Sequence, residues 1–321
     1  MKQHLIFGLI VLLLLILLPL VSLAFGAEQE NEPPPAQTLE QAEEPAAEAA
    51  TVSVLRHGSG EVEDIAMLEY LVGVVAAEMP ARFHEQALMA QAVAAHTFKR
   101  YRLEVAGAEQ ISDSPDNDQG YLCPQQRRER WGDQFDLYES RIENAVRAVF
   151  GQTLKYQGQP IFAAYHAMSG GITEHAAIYW GGRDLSFLRS VESPGDRLSP
   201  SFHVTTSFTA AEVQAALNAL DGVNLTGEPA VWFGEPQRSE AGTVTEIQVG
   251  GAALTGRQVR RALDLRSSNF EIDYDDKGFH VTTAGFGHGV GMSQTGADFM
   301  ARQGASYREI LKHFYQGAEI A

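Results

Sequence analysis

The chain has 321 residues, 45% of them hydrophobic, which suits one large folded domain or two ordinary ones and excludes a disordered protein. Its 24 basic side chains against 41 acidic ones give a formal charge of −17, which argues against binding nucleic-acid phosphates or an anionic lipid surface. Cys123 is the single cysteine, so an intramolecular disulfide is excluded and a structural zinc site is disfavoured.

The first predicted element is the run of Leu, Ile, Val and Phe from Leu5 to Phe25, long enough to span a bilayer. Cleaved signal peptides have shorter apolar regions, and no small-x-small cleavage site is clear around 23–27. An uncleaved transmembrane anchor over 1–27 is therefore expected. Lys2 before the span, with Glu28, Glu30 and Glu32 after it, places the N-terminus in the cytoplasm and the bulk of the chain outside. Residues 28–50 carry seven Glu, four Pro and no basic residue, the composition of an extended, self-repelling tether. Without Lys2 and those glutamates, 51–321 holds 23 basic against 34 acidic side chains, so it too is acidic.

Thr51 to Glu63 reads as a short strand and turn. The stretch from Met67 to Pro80 organises the rest of the chain, because Leu68, Leu71, Val72 and Val75 recur at the i, i+3, i+4, i+7 spacing of an amphipathic helix. Glu78 falls seven residues after Leu71, on the same stripe. Pro80 forbids further regular helix and biases Met79 toward extended geometry, so Glu78 is expected at the helix end. Two readings of Glu78 stand at this point. A carboxylate on the core side is desolvated, which raises its pKa and lets it hold a proton near neutral pH. A terminal glutamate that snorkels into water does neither.

Glu85 to Val105 is a strong helix former with alanines on one side for close packing, stopped by Gly107. Gln91, His96 and Lys99 are its polar residues, with a solvated face as the default. Ile111 to Trp131 mixes Asp, Asn, Pro and Gly with little periodicity, so a surface loop is expected, with Arg127, Arg128 and Arg130 in a solvated turn. Tyr138 to Phe150 reads as a helix, and Thr153–Tyr156 and Ile161–His166 as strands about the turn QGQP. The second strand runs into HAMSGGITEHAAIYWGG. There Ser169, Gly170 and Gly171 make a tight loop of approachable amides, with Thr173 beyond it and Trp180 as an aromatic wall. Such loops suit sugar hydroxyls and faces, and they suit ordinary turns.

Residues 204–268 read as a lateral subdomain, with a Thr209/Glu212 capping box and strands near Thr243 to Val249. A hairpin of Phe270–Tyr274 and Phe279–Ala284 then delivers AGFGHGVGMSQTGADFM. In it Gly285, Gly287, Gly289 and Gly291 alternate around His288, and a helix begins near Ser293 and Gln294. Alternating glycines let a backbone or a ligand pass close. The last helix is capped by Ser306 with Glu309 and ends at Gly317.

His166 and His175 are nine residues apart and no H-E-x-x-H occurs, so no catalytic metal and no cofactor are expected. G-x-S-x-G is absent, which disfavours Ser169 as a nucleophile. Cys123 reads as a loop thiol with no helix N-terminus to activate it. There remains Glu78 as a candidate acid among glycine-rich loops, aromatics and uncharged polar groups. That set fits cleavage of a glycosidic bond.

Three segments together resemble the stage II sporulation protein D family: YLVGVVAAEMP with EQALMAQAVAAHTF, HAMSGGITEHAAIYWGG, and GFGHGVGMSQTGADFMARQGASYREILKHFY. The resemblance covers about 62–317. It implies a membrane-anchored lytic transglycosylase whose catalytic domain, 51–321, has an α+β fold. Such enzymes cut MurNAc–GlcNAc bonds of peptide-free peptidoglycan strands to 1,6-anhydro-MurNAc ends during septal wall remodelling and engulfment in sporulation. The implied partners are a cell-wall amidase/endopeptidase and a membrane scaffold protein. The glutamate of the E-M-P motif, here Glu78, becomes the catalytic acid. Gln91, His96, His166, Ser169, Gly170, Gly171, Thr173, Trp180, His288, Ser293 and Gln294 are expected to line the glycan groove. The chain departs from the family at one notable position: the family's long helix usually reads A-A-R-T-Y, and here His96 puts a titratable group where a permanent cation would be. Some relatives carry zinc on Cys and His ligands, which the lone Cys123 does not carry over. The alternative implied by related proteins is a non-catalytic, glycan-binding amidase enhancer.

Overall fold

Val52 and Val54 turn inward from β1 (Thr51–Leu55), which pairs antiparallel with β2 (Val62–Ala66) from Thr51 opposite Ala66 to Leu55 opposite Val62. This hairpin opens the computed structural model, which describes residues 50–182 and 185–321. The anchor over 1–27 and the tether over 28–50, Ala50 apart, lie outside the described residues. Among the described residues no helix is long and apolar enough to cross a membrane. The architecture is mixed α+β with several small sheets.

β2 runs directly into α1 (Met67–Glu78). An amphipathic stripe understates this helix: Tyr70 through Ala76 are buried without a break. The reason is that β1, α2 (Glu85–Arg100), α3 (Pro124–Trp131) and α4 (Phe135–Ala148) all pack on it. Met79 is extended, with φ −118° and ψ 143°, and α1 stops at Glu78 as Pro80 demands. α2 is enclosed in turn. Gln91, His96 and Lys99, expected on a solvated face, are buried with Ala87, Ala90 and Ala94.

The expected loop over 111–131 needs correcting. It contributes β3 (Ile111–Ser112), parallel to β1, and then α3, with Cys123 at its N-cap and Pro124 in its first turn. Cys123 therefore does stand at a helix N-terminus. Arg127 is fully buried, and its five N–H donors go to Glu69 of α1, Glu139 of α4 and the Leu122 carbonyl at 2.7–3.1 Å. Arg130 donates to the Ala76 carbonyl at the C-terminal end of α1, and Arg128 lies over Phe135. An ion-pair network, not an apolar stripe, seats α3, which is why hydrophobic periodicity missed it.

β4 (Leu154–Tyr156) and β5 (Gln159–Pro160) form a short hairpin. β6 (Tyr165–His166) and α5 (Ala176–Trp180) come after it. Next are β7 (His203–Phe208), α6 (Ala210–Leu217) with its Thr209/Glu212 capping box, and the meander β8 (Gln237–Arg238), β9 (Val244–Val249) and β10 (Ala252–Leu254). α7 (Gly256–Ala262) precedes the hairpin of β11 (Phe270–Asp275) and β12 (Gly278–Ala284), whose second strand also pairs with β7. Val213, Leu217, Trp232, Val249, Val259 and Phe279 gather in a hydrophobic cluster of their own, apart from the one around α1 and α2. β13 (Met292–Ser293), α8 (Gln294–Arg302), α9 (Tyr307–Phe314) and β14 (Glu319–Ile320) return the chain to the first cluster.

Candidate active site

Glu78 sits half-buried at the last residue of α1. One carboxyl oxygen accepts the Gly120 N–H at 2.7 Å, and the Gln294 side chain bonds the carboxyl as well. Burial pushes its pKa above the usual carboxylate range, and those two bonds only partly offset the rise. Of the two readings open from its spacing, the desolvated one describes this side chain.

Gly120 reaches Glu78 because Gly73 has no side chain. A Cβ there would stand 2.2 Å from the Tyr121 ring and 2.7 Å from the Leu122 carbonyl. The bare backbone lets residues 119–122 lie on the helix, where Leu122 N–H donates to the Gly73 carbonyl at 3.1 Å. Gln119 is then held between two phenols: its amide donates to the Tyr70 hydroxyl and its oxygen accepts from the Tyr165 hydroxyl, both at 2.7 Å. Burial, and then the charge of Glu78, holds the Tyr165 phenol protonated well above its ordinary range. Gln294 completes the group by donating to the buried Gln91 at 3.3 Å. Glu78, Gln91 and Gln294 are thus brought together from α1, α2 and α8.

The two glycine-rich segments meet through β6 and β13, a parallel pair with Tyr165 opposite Met292 and His166 opposite Ser293. Gly291, at φ +74°, would place a Cβ 2.0 Å from the Ala164 carbonyl. The close approach those glycines permit is to the backbone of the other segment. The residues expected to bind glycan there lie inside instead. Ser169 donates to Asp196 from its hydroxyl (2.6 Å) and its N–H (2.9 Å), and the Ser293 hydroxyl donates to the same carboxyl at 2.8 Å. Thr173 is fully buried and bonded to Val191, while Gly170 and Gly171 back onto Asn269 and Arg197. The hollow bounded by Ser169, Gly170 and His288 measures about 20 Å³, room for about one water and not for a sugar. Asp196 was not singled out from the sequence. Burial raises its pKa against the surrounding donors, and it ties both segments together.

His166 is buried with Nδ1 against the Val290 carbonyl at 3.1 Å, and burial pulls its pKa down to about 4. His288 accepts the Val290 N–H at 3.0 Å and also bonds the Tyr165 backbone. Burial first, then His166 and Arg260, hold it well below its ordinary value. His96 bonds the Gln152 carbonyl in the turn after α4, and burial with the Lys99 charge pulls its pKa to about 4. Neutral at physiological pH, it does not replace the family's cation. Trp180 and His288, with ring centres 5.3 Å apart, do face open space, a cleft of about 590 Å³.

A family model described as SpoIID, stage II sporulation protein, matches residues 56–156. The chain is 39% identical over 283 residues to the stage II sporulation protein D of Bacillus subtilis (strain 168), covering 86% of this chain and 80% of that protein. It is 40% identical over 278 residues to the protein of the same name from Bacillus amyloliquefaciens, covering 84% and 78%. A more distant similarity, 26% over 306 residues, is to an amidase enhancer of Bacillus subtilis (strain 168), covering 78% of this chain and 40% of that one.

Proposed function

The chain belongs to the SpoIID family of stage II sporulation proteins, and from that premise we propose that it is a peptidoglycan lytic transglycosylase with Glu78 as its one acid and base. The observation that carries this reading is the Glu78 carboxyl itself: desolvated, raised in pKa, and bonded by a backbone N–H and an amide side chain. A general acid must hold its proton at the working pH and release it when the substrate oxygen gains charge.

In the proposed reaction, protonated Glu78 gives its proton to the oxygen linking N-acetylmuramic acid to N-acetylglucosamine. That C–O bond breaks through an oxocarbenium-like state, and the departing sugar leaves with a hydroxyl. Gly120 N–H and the Gln294 amide stabilise the carboxylate left behind. It then takes the proton of the muramoyl 6-hydroxyl, whose oxygen closes the 1,6-anhydro ring. Glu78 ends protonated and no water is consumed. On this reading the Leu5–Phe25 segment anchors the enzyme outside the cell membrane. A cell-wall amidase/endopeptidase supplies peptide-free strands during engulfment, and a membrane scaffold protein holds the two enzymes together.

The experiment is to incubate the full chain with peptide-free glycan strands and follow the release of soluble fragments. Glu78→Gln should lower the rate by roughly 10²–10⁴, the worth of a general acid. Undiminished release by that variant would remove Glu78 from the chemistry. The similarity to an amidase enhancer favours a second reading, a glycan-binding module that modifies another hydrolase. It predicts no fragments from either form, with glycan binding intact in both.

A further inference from the structure

The cleft in front of Trp180 and His288 has a wall that the acid chemistry does not use. α7 turns Arg257, Arg260 and Arg261 toward it, in a chain that is otherwise strongly acidic. Arg257 and Arg260 are half-buried, and among the described residues none of the three has a carboxylate partner within 4.0 Å. Asp264 lines the same cleft without pairing with them. Arg260 is held in place by donating from Nε to the Leu265 carbonyl (3.1 Å) and from Nη1 to the Tyr179 hydroxyl (3.0 Å). Arg257 stands 5.8 Å from the centre of the Tyr179 ring. Both guanidinium charges are felt at His288, which they help keep neutral. Arg260, held by those bonds, with Arg257 three residues before it on α7, stands beside an aromatic wall and pairs with neither Asp116 nor Asp264 of the same cleft, an arrangement that suits a planar anion on a larger, partly apolar ligand. The volume, about 590 Å³, falls in the range of small-molecule sites.

The cleft is also connected to the acid. Asp116 and Asn117 also line it, and the same stretch continues to Gly120, which bonds Glu78. Tyr165 links them a second time, through its backbone to His288 and through its hydroxyl to Gln119.

We infer that this cleft is an anionic subsite in which Arg257 and Arg260 bind the free lactyl carboxylate of a muramoyl residue, exposed only when the stem peptide is absent. The inference rests on the reading of Glu78 as an acid acting on glycan strands. N-acetylglucosamine carries no charge, and a stem peptide converts the lactyl carboxylate to an amide that offers a guanidinium no charge to bind. The subsite therefore selects stripped strands and sets which sugar lies at Glu78.

The test is calorimetric binding to the full chain carrying Glu78→Gln, which slows turnover. The probes are a GlcNAc–MurNAc oligosaccharide with free lactyl carboxylates, the same oligosaccharide with those carboxylates amidated, and inorganic phosphate. Losing charge-assisted hydrogen bonds of this kind weakens binding by about tenfold or more. Amidation should do so, and Arg257→Gln should weaken the free form by a similar factor while leaving the amidated form unchanged. If that variant does not fold, the exposed Arg261→Gln gives the same contrast with a smaller factor. Equal affinity for the two oligosaccharides overturns the subsite. Phosphate binding tighter than the free oligosaccharide reassigns the cleft to a phosphate-bearing wall polymer and overturns the carboxylate. Turnover by the unsubstituted chain separates this inference from its premise. Anhydro ends formed equally fast from free and amidated strands remove the subsite and leave the transglycosylase. Tenfold discrimination in binding with no anhydro ends supports the subsite and removes the transglycosylase.

Discussion

Burial of Glu78 favours its neutral form, and that preference has a cost in the folded state that can be measured. Below the ordinary carboxylate pKa of about 4.3 the group is protonated in folded and unfolded chains alike. As pH rises, the unfolded chain releases the proton first, so stability is lost up to the raised folded pKa. Glu78→Gln removes this loss. The variant should melt at a higher temperature than the unsubstituted chain at pH 8, and the difference should vanish below about pH 4. Thermal melts across that range check it, and a difference independent of pH would mean that Glu78 is not desolvated. Glu78 was legible as one of two readings of its spacing, while Gln91, read as solvated on its helix, and Gln294 entered only through the family resemblance. Gly120 was not legible, since its contribution is a backbone N–H, and Asp196 was not, since a lone aspartate after Pro194 and Gly195 reads as a turn.

The elements around the site are held by two devices of opposite visibility. Gly73, inside a helix, is a sequence oddity whose purpose appears only when residues 119–122 are laid against it. Gly73→Ala pushes a Cβ into the buried Tyr121 ring and the Leu122 carbonyl, an overpacking that costs about 1–3 kcal/mol. It should also withdraw the Gly120 N–H from Glu78, so activity should fall further than stability alone explains. Chemical denaturation beside a fragment-release assay measures both, and a variant of full activity would show that the loop is not tied to the acid. Arg127 is the less visible device. In PQQRRERW no apolar stripe announces a helix, yet Glu69 and Glu139, 58 and 12 residues away, complete the site that buries its guanidinium. Local sequence signals read α1, α2 and the capped α6 and α9 well because their causes are local: periodicity, alanine content and capping boxes. α3 is held by distant partners, so it read as a loop.

At the scale of the whole molecule, the placement of the site depends on one long-range pairing, β6 with β13, which joins residues 165–166 to 292–293. That pairing sets Tyr165 and Gln294 beside Glu78, and it turns His288 and Trp180 to the cleft of Arg257 and Arg260. Spacing in the sequence marked both segments as special without saying that they touch each other. On the proposed reading, a sugar strand meets the Glu78 group and the cleft together, and one carboxyl acts twice. The central claim is that the muramoyl 6-hydroxyl, and not water, closes the reaction. Mass spectrometry of the products formed from peptide-free strands in heavy-oxygen water tests it most directly. The account predicts anhydro-muramoyl ends free of the heavy isotope from the unsubstituted chain, formed roughly 10²–10⁴-fold more slowly by Glu78→Gln. Reducing ends that carry the isotope would make the protein a hydrolase and contradict it.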